Sequence, residues 1–145
     1  MLKFIQKNAV YIILIQVTVA VLGSLYFSDI KGYEPCVLCW YQRICMYSLF
    51  PIIIIAGLRK EVKIYQYIIP ISALGWIIAF YHNMFYMGII KVDVCSAGIS
   101  CTSKYVEYLN FINIPFLSLI SFSIIIILAI INRNYLRNLH KNLNK

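Results

Sequence analysis

Residues 36–58 read CVLCWYQRICMYSLFPIIIIAGL, and this stretch decides the class of the protein. It carries no charged side chain after Arg43, and it is about as long as the roughly 20 residues that a helix needs to cross a bilayer. Comparable apolar stretches lie at about 9–27, 65–90 and 111–131. We predict an all-α, integral membrane four-helix bundle that forms one domain over residues 1–145, with the spans at about 9–27, 40–58, 65–90 and 111–131.

The composition agrees with this fold class. Hydrophobic residues make up 62% of the chain and charged residues only 12%. A soluble domain of this size would have too little polar surface to cover itself. Four spans leave almost no chain for another domain, so we expect a single membrane-embedded unit.

The net charge of +8 is a topology signal rather than a sign of nucleic-acid binding. Basic residues collect before the first span, between the second and third, and after the fourth, and these segments lie on one side of the membrane. The positive-inside rule therefore predicts that both termini are cytoplasmic. The nine basic residues on this side, of thirteen in all, are Lys3, Lys7, Arg59, Lys60, Lys63, Arg133, Arg137, Lys141 and Lys145.

Four of the five cysteines fall in the two predicted extracytoplasmic loops, at about 28–39 and 91–110. The first loop holds Cys36 and Cys39, and the second holds Cys95 and Cys101. Disulfides persist outside the cytoplasm. Three interpretations are open: two structural disulfides, a metal site of four thiolates, or a relay that exchanges disulfides. A disulfide across four residues stabilises the fold only weakly, so the C-x-x-C pair favours the relay. The fifth cysteine, Cys45, lies inside the second span and is predicted to be a buried, inert thiol.

Two charged or polar residues near the C-x-x-C motif suggest a redox site. Arg43 follows Cys39 by four residues and shares its helical face. A cation and a helix N-terminus both favour a thiolate, and an arginine inside a span is a functional candidate. His82 is expected at a similar depth in the third span, among Trp76, Phe80, Tyr81, Phe85 and Tyr86. Such an aromatic pocket with a histidine and an arginine suits a quinone ring.

The motif Pro35-Cys36-Val37-Leu38-Cys39-Trp40-Tyr41-Gln42-Arg43 resembles the signature of the DsbB/BdbC family of membrane thiol–disulfide oxidoreductases. The four spans and the later cysteine pair extend the resemblance over nearly the whole chain. The segment from Cys101 to Ser118 also resembles the family's second outer loop and the start of its last helix. The short second loop is similar to the compact BdbC-type members.

The resemblance implies a role for each matching residue. Cys36 and Cys39 match the pair that exchanges electrons with quinone, and Cys39 matches the cysteine whose thiolate contacts the ring. Arg43 matches an arginine that supports quinone reaction, and His82 falls where a quinone-site histidine is expected. The family's glutamine four residues later is replaced here by Tyr86.

For the second loop, the resemblance implies that Cys95 is attacked by a reduced partner and that Cys101 is its resolving mate. The expected partner is an extracytoplasmic thioredoxin-like oxidase of the DsbA/BdbD type, and the expected cofactor is menaquinone or ubiquinone. We therefore expect a multi-pass enzyme of the bacterial cytoplasmic membrane that supports disulfide formation in secreted proteins, without a bound metal or nucleic acid. The alternative is a membrane protein that uses its thiolates to bind a metal.

Overall fold

The computed structural model describes residues 2–32, 35–59, 62–89 and 114–143, and this part of the chain is built from helices. The first helix, α1, spans Leu2–Leu25 and continues as a π-helical turn over Tyr26–Ile30. The second, α2, spans Val37–Arg59 and is followed by a short 3₁₀ helix at Val62–Ile64. The third and fourth, α3 and α4, span Tyr65–Tyr86 and Ile114–Leu143. All four are long and apolar enough to cross a membrane, which confirms the predicted fold class.

Several helix boundaries differ from the sequence-based expectation. Helix α1 begins at Leu2 rather than near residue 9, and α3 ends at Tyr86 rather than near residue 90. Helix α2 begins at Val37, so Cys39 lies in its first turn rather than in the preceding loop. Helix α4 continues past the predicted end of the fourth span to Leu143. The reason is that an apolar run marks where a helix lies in lipid, whereas the helix itself extends into polar sequence with adequate helix propensity. Ile90 and residues 111–113, at the predicted ends of the third and fourth spans, lie outside the described residues.

Hydrogen bonds between helices establish their directions. Tyr65, at the start of α3, donates its hydroxyl to Asn132 Oδ1, late in α4, at 2.8 Å. His82, late in α3, pairs with Gln42, early in α2, and Gln42 pairs with Ser118, early in α4. Helices α2, α3 and α4 therefore alternate in direction, and α1 is antiparallel to α2, because Val10 early in α1 lies beside Gly57 late in α2. The beginning of α1 and the end of α4 lie at one end, and the C-x-x-C motif lies at the other.

The helices pack closely where small residues face large ones. Each helix contacts the next in sequence, and α4 closes the bundle against α1. Gly75 on α3 is buried under the ring of Phe122 on α4, and a Cβ atom at Gly75 would overlap that ring. Small residues allow such close approach in membranes, where apolar side chains gain little by leaving lipid for one another. The outward faces stay apolar: Ile15 and Val19 on α1 are more than half exposed, as expected for lipid contact.

Candidate functional site

Cys36 caps the N-terminus of α2. Its carbonyl oxygen accepts the backbone N–H of Trp40 at 3.0 Å, which closes the first helical turn. Its Sγ accepts the backbone N–H of Cys39 at 3.4 Å. A serine or threonine at this position caps a helix in the same way. The sulfur of Cys36 therefore lies at the positive end of the helix dipole, where negative charge is stabilised.

The two sulfurs of the motif lie 2.9 Å apart, and both residues are thiols in this structure. Either thiol can donate to the other. When Cys39 donates, the negative charge rests on Cys36, where the helix N-terminus also stabilises it. The hydrogen bond from Cys39, opposed by burial and assisted by His82, lowers the pKa of the Cys36 thiol to about 4. The hydrogen-bond donors that stabilise a thiolate therefore surround the sulfur of Cys36.

His82 joins the cysteines from helix α3. It is 1% exposed, and its Nε2 lies 3.8 Å from Cys36 Sγ. The two sulfurs and a ring nitrogen of His82 all lie within 4.8 Å of one another. Cys36 also packs with Leu38 and Phe85 in a small apolar cluster at this end of the bundle. The expectation that His82 lies near the start of α2 is confirmed.

Gln42 belongs to the same cluster, although the sequence analysis gave it no role. Its side chain is 6% exposed. Its Nε2 lies 3.0 Å from His82 Nδ1, and its Oε1 lies 2.6 Å from Ser118 Oγ. The sequence did contain a signal for such a role, because Gln42 lies one helical turn after Cys39 inside a span. An amide in that position needs hydrogen-bond partners from neighbouring helices.

Arg43 points its charge toward aromatic side chains. Its Nε and Nη2 donate to the hydroxyl of Tyr47 at 3.2 and 2.9 Å. Its guanidinium lies 5.0 Å from the ring centroid of Trp40. The two contacts hold the cation between Trp40, in the first turn of α2, and Tyr47, one turn beyond Arg43. Its Nη1 carries two further N–H donors.

The aromatic residues expected around His82 divide into two groups. Phe85 and Tyr81 pack in the cluster that contains Cys36. Trp76 and Phe80 instead stack on each other, with ring centroids 5.3 Å apart, and Trp76 donates to Ser123 Oγ on α4 at 2.9 Å. The helical period separates these residues, because positions three or four apart share a face while others do not. Trp76 and Phe80 therefore lie on a different face of α3 from Tyr81 and Phe85.

Of the remaining candidate residues, the structure describes Tyr86 and Cys45 but not the second cysteine pair. Tyr86 is the last residue of α3, one turn beyond His82, and it is half-buried. Cys45 is buried in the main core, which confirms its predicted burial. Cys95 and Cys101, the predicted second pair, lie outside the described residues.

Comparison with known proteins identifies a family that matches most of the chain. A family model described as disulfide bond formation protein DsbB matches residues 6–132. Disulfide bond formation protein C of Bacillus subtilis is 41% identical over 111 residues, covering 75% of this chain and 80% of the relative. Probable disulfide formation protein C 1 of Bacillus anthracis is 43% identical over 119 residues, covering 78% of this chain and 83% of the relative.

A relative from Bacillus cereus matches a larger share of the chain. Probable disulfide formation protein C 2 of strain ATCC 10987 is 39% identical over 131 residues, covering 90% of this chain and 94% of the relative. No solved structure matches the chain. The family match spans the four helices and the C-x-x-C motif, and it confirms the resemblance drawn from that motif. The chain belongs to the DsbB family of disulfide bond formation proteins.

Proposed function

We propose that this membrane protein reoxidises an extracytoplasmic thioredoxin-like thiol oxidase of the DsbA/BdbD type and passes the electrons to a membrane quinone. The observation that carries the proposal is the pair of sulfurs 2.9 Å apart, held beside a buried histidine at the end of the bundle opposite both termini. The excess of basic residues at the terminal end supports a cytoplasmic location for the termini. The C-x-x-C pair would then face the compartment in which disulfides persist.

The proposed sequence of exchanges conserves two electrons at every step. The reduced partner's thiolate attacks Cys95 of an oxidised Cys95–Cys101 bond, and a mixed disulfide forms. The partner's second thiol resolves it, which leaves an oxidised partner and a reduced loop pair. That pair then reduces the Cys36–Cys39 disulfide by the same exchange, and its own disulfide is restored.

The residues at the start of α2 suit the last step. A bound quinone would supply the acceptor for the two electrons and two protons that the Cys36 and Cys39 thiols release when they become a disulfide. The guanidinium of Arg43 is held one turn from Cys39 by Tyr47 and Trp40, and its remaining N–H groups are suitable donors to carbonyl oxygens. Trp40 and Tyr41 are about half exposed on the outer surface of α2, so flat aromatic faces are available to a ring that arrives from lipid.

The test is quinone reduction by the purified protein in detergent or nanodiscs, with a reduced thioredoxin-like oxidase as the electron donor. We expect quinone to disappear and partner disulfide to appear in equal amounts. Cys39→Ser should abolish quinone reduction, whereas Cys45→Ala serves as the matched control and should retain it. Continued oxidation of the partner without quinone, beyond the amount that the protein's own disulfides can accept, or retained quinone reduction by Cys39→Ser, would contradict the proposal.

Metal binding is a second candidate, because one specific observation favours it. Three potential ligand atoms, from Cys36, Cys39 and His82, lie within 4.8 Å of one another. Two thiolates with one imidazole match a known zinc donor set. Zinc content measured after purification with and without reductant separates the two functions. Stoichiometric zinc that protects both thiols from maleimide would favour metal binding. Thiols that react only after reduction, with no zinc, would favour the relay.

A further inference from the structure

A series of hydrogen-bonded polar side chains connects three helices. Ser118 of α4 contacts Gln42 of α2, and Gln42 contacts His82 of α3, whose other ring nitrogen faces Cys36. Gln42 is 6% exposed and His82 is 1% exposed. Because Gln42 and His82 are buried, the direction of each hydrogen bond is set by the neighbouring polar groups.

The distances settle which way the amide of Gln42 points. Gln42 Oε1 and Ser118 Oγ are 2.6 Å apart, a separation usual for O–H···O and short for N–H···O. The amide oxygen therefore accepts the hydroxyl proton of Ser118. The amide NH₂ group then faces His82 Nδ1 at 3.0 Å. Ser118 Oγ also lies 2.9 Å from the carbonyl oxygen of Pro115, a longer contact that takes at most a share of the same proton.

This direction determines the tautomer of the histidine. Because Gln42 donates to Nδ1, that nitrogen carries a lone pair, and the proton of the neutral ring resides on Nε2. Nε2 lies 3.8 Å from Cys36 Sγ, so the ring presents an N–H donor to the sulfur that also caps α2. With the amide reversed, Nδ1 would carry the proton and Nε2 would present a lone pair to the sulfur.

We propose that Gln42, held by Ser118, is a positioning residue that fixes His82 in the Nε2–H tautomer and so aims a hydrogen-bond donor at Cys36. Gln42 acts through His82 and touches neither sulfur in this role. The consequence for turnover rests on the proposed function, but the tautomer itself does not. The tautomer of His82 can therefore be tested by a spectroscopic measurement that does not depend on turnover.

The protonation of the His82 ring can be measured directly, because the protein contains only two histidines, His82 and His140. The full-length reduced protein is labelled with ¹⁵N-histidine, and the nitrogen shifts report which ring nitrogen carries the proton. His140 is exposed near the end of α4, so His140→Gln assigns the spectrum and leaves the site unaltered. We expect His82 in the unaltered protein to be protonated at Nε2, with Nδ1 unprotonated.

Two variants of Gln42 separate tautomer control from simple packing. Gln42→Glu keeps the shape but replaces the donor with a carboxylate, so Nδ1 of His82 should become protonated. Gln42→Met keeps the bulk without hydrogen bonding, so both tautomers should be populated. Ser118→Ala removes the donor to Gln42 Oε1 but keeps the contact between Gln42 and His82. This variant should weaken the preference of His82 for the Nε2–H tautomer. An unaltered His82 spectrum in Gln42→Glu, or protonated Nδ1 in the parent protein, would overturn the inference.

Turnover provides the second measurement. In Gln42→Glu, where Nε2 of His82 presents a lone pair, exchange at the C-x-x-C pair should slow by about tenfold, the effect of losing roughly one hydrogen bond to a charged group. Gln42→Met keeps part of the Nε2–H population and should slow exchange less, with the KM for the thioredoxin-like partner unchanged in both variants. A changed KM with an unchanged tautomer would instead indicate a packing role and refute the proposal. If the tautomer responds as expected but no quinone is reduced by any form, the proposed function fails and the tautomer inference stands.

Discussion

Replacing Cys39 with alanine should raise the pKa of the Cys36 thiol. The hydrogen bond from Cys39 is the largest contribution that lowers this pKa to about 4, ahead of His82, while burial acts in the opposite direction. A thiol is neutral when protonated, so the loss of a donor to the thiolate favours protonation and raises the pKa. One hydrogen bond to a charged group contributes about 1.5–3 kcal/mol, and one pKa unit corresponds to about 1.4 kcal/mol. The expected upward shift is therefore about one to two units.

Cys39→Ser is the matched control, since its hydroxyl retains a donor at the same position and should give a smaller rise. The assay is alkylation of the reduced protein between about pH 3 and pH 9, with the modified residue identified by mass spectrometry, because only the thiolate reacts. The parent protein should lose Cys36 reactivity only as the pH falls toward about 4.

Two results would refute this reasoning. Equal midpoints in the parent, alanine and serine proteins would show that Cys39 does not stabilise the charge on Cys36. A midpoint near the ordinary thiol value in the parent, with Cys39 reacting at low pH instead, would place the thiolate on Cys39. That second outcome would match the assignment drawn from the family resemblance and would contradict the donor geometry of the structure.

The other predictions concern packing and the neighbouring residues. Gly75→Ala should destabilise the bundle by about 1–3 kcal/mol through overlap with Phe122, measured by denaturation in mixed micelles, whereas Gly23→Ala meets no atom within 4 Å and should be nearly neutral. Arg43→Ala should slow quinone reduction by roughly tenfold or more and leave exchange with the thioredoxin-like partner nearly unchanged; equal losses in both half-reactions would refute that role. Cys45→Ala should keep turnover within about twofold of the parent, and an inactive variant would show that this buried thiol takes part.

Much of the site was accessible from the sequence because its signals are local. Cys36 and Cys39 are three residues apart, and Arg43 follows on the same helical turn, so their proximity needs only helix geometry. His82 was also placed correctly, since antiparallel spans of similar length put its depth near the start of α2. Tyr86 was predicted by the same argument, and its role stays a prediction.

Other features depended on how the helices rotate about their axes. Trp76, Phe80 and Phe85 lie near His82 in sequence, but the helical period puts the first two on a different face of α3 from the cluster that contains Cys36. Gln42 received no role because its function requires partners from α3 and α4, forty and seventy-six residues away along the chain. Neither separation leaves a local pattern.

The amino-acid sequence alone determined the four spans and the pairing of a C-x-x-C motif with an arginine, because crossing a bilayer requires a long apolar stretch and a helix aligns residues at fixed spacing. The tertiary structure alone decided which sulfur carries the donors. Cys36 occupies the N-terminal cap of α2, accepts the N–H of Cys39 and faces His82 of another helix. Charge stabilisation depends on distances of a few ångströms between elements, and only the packed bundle specifies those distances.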